Sequence, residues 1–173
     1  MKFMDLMQQI FTGNNIAILG AALATICPGF GSAKGVGMVG EASSGVIIED
    51  PGKFGKTLVL QALPATQGIY GMITSFLIIV QMGLLGDNPV DLSIMQGAYL
   101  FAAAMPITFV GYFSAIKQAK VAVAGINIVA KRPDHFIKGV LYAAMVETYA
   151  IFSVLISLLL VIFFKAQKNE KFR

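Results

Sequence analysis

Apolar positions run in long stretches along this chain, and polar ones gather in the short turns between them. Residues 6–33, 57–86 and 92–116 carry no charge, and residues 139–164 carry only Glu147. Each stretch exceeds the ~20 residues that an α-helix needs to cross hydrocarbon. The pattern predicts an all-α membrane protein with four transmembrane helices. Between the first and second stretches stand Glu49, Asp50, Pro51, Lys53 and Lys56; between the third and fourth stand Lys131, Arg132, Pro133, Asp134, His135 and Lys138. Proline and charge together mark solvated turns, so each pair of helices reads as a hairpin.

The two hairpins are copies of one another. At a fixed offset of 82 residues, Ser32 matches Ser114, Ala33 matches Ala115, Pro51 matches Pro133, Phe54 matches Phe136, Lys56 matches Lys138, Thr66 matches Thr148 and Ser75 matches Ser157. No gap is needed between halves spanning 13–82 and 95–164, as expected of a duplication. The boundary places residues 1–86 in the first hairpin and 87–173 in the second. Both copies enter the membrane from the same side, which argues against an inverted-repeat transporter.

Composition narrows the class further. Hydrophobic residues make up 57% of the chain and charged ones 13%, with a mean hydropathy of +0.76; soluble domains carry roughly twice that charge. The net charge of +4 comes from residues near helix ends and in the tail, a placement suited to headgroups and not to nucleic acid. A single Cys27 excludes an internal disulfide and reads as apolar packing. Residues 1–9 lack a short cleavable apolar region, so the first segment is expected to be retained. By the positive-inside rule the hairpin turns should be cytoplasmic and the connection 83–91, with Asp87 and Asp91, outside. Lys165, Lys168, Lys171 and Arg173 would then also lie outside, against that rule.

Glu147 is the residue that demands a function. A carboxylate near a membrane midplane costs at least a few kcal/mol and marks an ion pathway or a proton relay by default. Counting from each hairpin proline gives depth, because every helical residue rises about 1.5 Å. Glu147 lies 14 residues after Pro133, Gln118 lies 15 before it, and Thr66 and Gln67 lie 15 and 16 after Pro51. All four share one level of the membrane. Leu63, Thr66, Gln67 and Tyr70 have the spacing of one helical face, and Pro64 withdraws a backbone donor beside them. Carboxylate, amide, hydroxyl and carbonyl oxygens suit a hard cation, and a single negative charge suits a monovalent one such as Na+. A proton competes for the same carboxylate.

Other features pull in different directions. Lys34 and Lys117 lie near the same depth and raise the alternative of a structural ion pair with Glu147. Lys117 sits about 200° around its helix from Ala115, whereas Gln118 lies within about 60° of it, so Lys34 is the stronger candidate. Small residues repeat every fourth position at Ala21, Thr25, Gly29, Ala33 and Gly37, and again at Gly111, Ala115 and Ala119. Such a stripe serves either a seam within one chain or the inner layer of a ring of copies. The run from Gly35 to Gly40 has the form GxGxxG but follows no predicted strand, and so lacks the context of a dinucleotide site. His135 reads as a solvated turn residue.

Three segments carry a resemblance: Leu63-Pro-Ala-Thr-Gln-Gly-Ile-Tyr70, Phe113-Ser-Ala-Ile-Lys-Gln118 and Met145-Val-Glu-Thr-Tyr149. They resemble the membrane-rotor proteolipids of V-type ATPases, closest to the bacterial sodium-pumping branch, over almost the whole chain. The resemblance implies that Glu147 is the ion-binding carboxylate, that Thr66, Gln67 and Gln118 supply side-chain oxygens and Leu63 a backbone oxygen, and that Tyr70 holds the carboxylate closed. Ala65 stands at the position matching Glu147, so only the second hairpin keeps the charge. The family commonly has Gly at residue 65, and the charged tail here is longer than usual.

The resemblance further implies a homo-oligomeric rotor ring in a bacterial plasma membrane, surrounded by lipid. A stator subunit with an essential Arg would load and release the ion, and central-stalk subunits would grip the hairpin turns. No P-loop is present, so the chain is not an enzyme by itself and ATP hydrolysis belongs to another part of the complex. A proton-translocating rotor and a structural four-helix membrane protein remain the alternatives.

Overall fold

The computed structural model describes residues 10–86 and 89–164. Asp87, residues 1–9 and the charged tail after Phe164 lie outside the described residues, as do the readings that rest on them. Four helices are long and apolar enough to span a membrane: α1 (Gly13–Glu49), α2 (Pro51–Gln81), α3 (Ile94–Lys131) and α4 (Pro133–Ile162).

Local chemistry explains where they begin and end. The Thr12 side chain accepts from the Asn15 backbone to start α1, and Ser93 with Gln96 forms a reciprocal capping box on α3. At the other ends, Asp50 and Arg132 break the helix one residue before Pro51 and Pro133, where a pre-proline residue avoids helical geometry. The apolar runs end at residues 33 and 116, yet α1 and α3 continue through charged sequence to those prolines. At 37 and 38 residues and about 1.5 Å per residue, both are far longer than the ~30 Å of hydrocarbon. Each is therefore longer than a single crossing requires.

Helices α1 and α3 form the most extensive pair and make one layer; α2 packs on α1 and α4 on α3 as a second layer. The core crosses the repeat boundary. One cluster joins Ala17, Ala24 and Ile78 to Leu100, Ile107 and Val154, and another joins Val39 and Leu60 to Ala122, Ile126 and Ala143. Ile69, Met72 and Phe76 on α2 and Leu141, Met145 and Phe152 on α4 remain exposed, an apolar surface too large for water and suited to lipid.

Close approach of the helices depends on absent side chains. A Cβ on Gly71 would stand 2.0 Å from the Ala24 carbonyl oxygen, and one on Gly31 2.7 Å from that of Tyr112. Gly71→Ala must push α2 off α1, and such overpacking costs roughly 1–3 kcal/mol. We expect a lower thermal midpoint for Gly71→Ala in detergent, measured against Gly55→Ala, whose Cβ meets nothing within 4 Å. Equal midpoints would contradict this packing.

The small-residue stripe is buried on one helix and open at the equivalent positions of the other. On α3, Gly111, Ala115 and Ala119 are buried, with Pro28 against Gly111 and Gly35 against the other two. On α1 the repeat-equivalent positions face outward: Ala33 and Gly37 are exposed, and a Cβ on Gly29 or Gly37 would meet nothing. Gly35, first residue of the GxGxxG run, packs mid-helix against Pro64 and α3. Cys27 is partly buried in α1 and His135 exposed in its turn.

Candidate ion-binding site

Three helices meet around Glu147. Its Oε1 accepts a 2.7 Å hydrogen bond from the Tyr70 hydroxyl of α2, and its Oε2 accepts one of 3.3 Å from Gln118 Nε2 of α3. Gln67 Nε2 in turn donates to Gln118 Oε1 at 2.5 Å. Both glutamines are fully buried. The result is a continuous chain from Tyr70 through Glu147 and Gln118 to Gln67, with groups from both hairpins.

Pro64 shapes the α2 side of this chain. Having no N–H, it interrupts the helix, which tightens into a 3-10 turn at Leu63–Ala65. The Leu63 carbonyl accepts from both the Thr66 backbone and the Thr66 hydroxyl, the latter at 3.1 Å. The Gly68 N–H bonds to Ser32 Oγ of α1 at 2.9 Å. In the second copy Val146 replaces this proline, α4 is unbroken, and Ser114 Oγ donates to the Val146 carbonyl at 3.2 Å. Ser32 and Ser114 thus pin the helices on either side of the carboxylate. The repeat flagged both serines, but only as matched positions.

Of the residues singled out from sequence, Glu147, Tyr70, Gln118 and Gln67 are directly linked. Thr66 and Leu63 bond to each other one turn before Tyr70, and neither is hydrogen-bonded to Glu147. The ion pair with Lys34 is not formed: Lys34 is exposed, and the salt bridge among the described residues joins Lys53 to Asp50. Lys117 is likewise exposed, while Gln118 beside it is buried.

Donors and acceptors do not balance along this chain. A carboxylate only accepts, so Gln118 must turn its NH2 toward Glu147 and its oxygen toward Gln67, which then spends an N–H on that oxygen. Gln67 Oε1 is left buried without a partner among the described residues, a state that costs about 1–3 kcal/mol. An orphaned amide oxygen linked through Gln118 to a carboxylate, on the helix that also carries the Thr66 hydroxyl and the Leu63 carbonyl, offers the oxygen chemistry that suits a hard cation. Among the described residues no cluster of three or more acidic, His or Cys groups occurs, and one carboxylate balances one positive charge.

Known proteins share both the pattern and its duplication. The family of ATP synthase C subunits matches twice, over residues 19–78 and 101–160, and the two matches stand at the same 82-residue offset. V-type sodium ATPase subunit K of Enterococcus hirae is 49% identical over 160 residues, covering 91% of this chain and 99% of that protein. A-type ATP synthase subunit K of Methanocaldococcus jannaschii is 37% identical over 147 residues, 85% of this chain and 62% of its own length. Matched twice in one register and across more than half of its length, the chain belongs to the ATP synthase C family, the membrane ring subunits of rotary ATPases.

Proposed function

We propose that this chain carries Na+ across a membrane on Glu147, as the ring subunit of a V-type rotary ATPase whose ATP hydrolysis takes place in other subunits. The observation that carries the reading is the Tyr70–Glu147–Gln118–Gln67 chain, which runs from a half-buried carboxylate to two buried amides and ends on an unpartnered amide oxygen. The sodium ATPase named among its relatives supports the choice of ion. Na+ would take oxygens from Glu147, Gln67, Gln118, Thr66 and Leu63. For Gln118 to contribute, its amide must turn over, presenting Oε1 where Nε2 now faces Glu147. Tyr70 would hold the loaded carboxylate in place.

Charge neutrality explains how such a site travels through lipid. An ionised Glu147 facing hydrocarbon is costly, whereas one paired with a bound cation is not. A fixed stator Arg would offer the carboxylate a competing positive charge and release the ion. Torque would arrive from a central stalk through the turns at Pro51 and Pro133, on the cytoplasmic face of a bacterial plasma membrane, with the termini opposite.

The repeat supplies the logic of the ring. Within one chain, Gly111, Ala115 and Ala119 of α3 pack on α1; Gly29, Ala33 and Gly37 of α1 are their repeat equivalents and lie open. Burying that second stripe against α3 of another copy continues the same contact head to tail, and such a contact makes a ring when the rotation between copies closes.

Labelling of Glu147 by a hydrophobic carbodiimide tests the ion. Millimolar Na+ near neutral pH is expected to protect the carboxylate, and lowering the pH to raise the Na+ needed, because the two cations compete. Labelling that ignores Na+ and follows pH alone would favour the proton-carrying alternative.

A further inference from the structure

The turns of the two hairpins are equivalent in position, and their first two residues are opposite in charge. At the 82-residue offset, Glu49 and Asp50 stand where the second copy has Lys131 and Arg132. The residues that follow are basic in both: Lys53 corresponds to His135, and Lys56 to Lys138. Within the chain the first pair already has partners. Lys53 Nζ donates to the Ala130 carbonyl and Lys56 Nζ to that of Pro133, each at 3.1 Å, tying the first hairpin to the turn of the second. His135 and Lys138 are exposed, and among the described residues their side chains make no hydrogen bond or ion pair. The carbonyls equivalent to Ala130 and Pro133 belong to Ile48 and Pro51, and Ile48 is 83% exposed.

We infer that Lys138 of one copy latches onto the Glu49–Pro51 turn of the next, donating to the Pro51 carbonyl as Lys56 does to Pro133, with His135 beside the Ile48 carbonyl. The occupant is a second copy of this chain, and the inference rests on the ring reading above. Charge decides the matter physically. Lys56 reaches the Pro133 carbonyl, which Arg132 and Asp134 flank with opposite charges, so chain connectivity and not charge holds that contact together. Lys138 meets Glu49, and an Asp50 that already pairs with Lys53 at 3.4 Å, so the same contact between copies gains an attraction, chiefly from Glu49, where connectivity offers none. A single exposed pair is weak and is screened by salt. A ring repeats it at every junction.

The test uses the ring purified in detergent and a water-soluble carbodiimide, which couples an amine to a carboxylate in contact with it. Wild-type rings should give a ladder of covalent multimers, with Lys138 joined to Glu49 or Asp50 in the dimer band by peptide mass. Lys138→Met should lose that ladder and melt to monomers at a lower temperature, while Lys56→Met retains the ladder. Lys138→Glu combined with Glu49→Lys should restore it. A wild-type ring whose ladder maps elsewhere, and whose melting Lys138→Met leaves unchanged, would overturn the latch and leave the ring reading intact. A wild-type chain that stays monomeric would overturn both.

Discussion

Glu147→Gln is expected to reduce ATP-driven Na+ uptake to background in vesicles carrying the assembled complex. Glutamine keeps the size and one oxygen of the carboxyl group, so the Tyr70 hydroxyl retains an acceptor at the 2.7 Å position. The 3.3 Å contact with Gln118 would set two NH2 groups against each other, which rotation of the buried amides relieves. Shape and burial survive, and the ring should assemble. Charge does not. A Na+ entering this site would bring an uncompensated positive charge out of water, at a penalty of several kcal/mol. Carbodiimide labelling should vanish with it, since the reactive carboxyl group is gone. Sustained uptake by Glu147→Gln would sink the sodium carrier and the proton carrier alike.

Tyr70→Phe should weaken ion retention by about 10–100-fold without removing the carrier. The tyrosine hydroxyl is the group from the first hairpin that hydrogen-bonds the second hairpin's carboxylate, and a hydrogen bond to a charged acceptor is worth roughly 1.5–3 kcal/mol. At 1.4 kcal/mol per tenfold, that converts to one or two orders of magnitude in the closed-site equilibrium. The ring of residue 70 packs against the shared core and phenylalanine keeps that contact, so folding is spared. Protection of Glu147 against carbodiimide should need 10–100 times more Na+ than in the wild type. An unchanged Na+ requirement would show that Tyr70 merely packs.

Much of this site is legible before any fold is known, because helical rise is constant. Pro51 and Pro133 mark where the helices turn, and counting from them puts Glu147, Gln118, Gln67 and Thr66 at one depth. The hydrogen bonds observed among the first three agree with that count. Tyr70 follows from its place on the Leu63–Thr66–Gln67 face. Counting also raises Lys34, which shares the depth but not the direction. It misses the tasks of Ser32 and Ser114, since a serine looks the same whether it faces lipid or pins two helices.

Charge-free runs understate the length of α1 and α3 for a related reason. Hydropathy reports where charge-free sequence ends, but a helix ends where its backbone hydrogen bonding is broken. Lys34 and Glu41 do not break it; Asp50-Pro51 does. Both features are local and readable in the chain.

By itself the sequence determined heights: four spans, their order, the duplicated plan and the level of a lone carboxylate, all set by residue spacing along rigid helices. The tertiary structure decided directions around each helix axis. Which small stripe packs inward, which amide face meets Glu147, and which lysines stay exposed and away from the carboxylate depend on close approaches such as Gly71 to Ala24 and Gly35 to Pro64. Those approaches join residues far apart in the chain, and a one-dimensional count measures position along a helix but not its rotation against a neighbour.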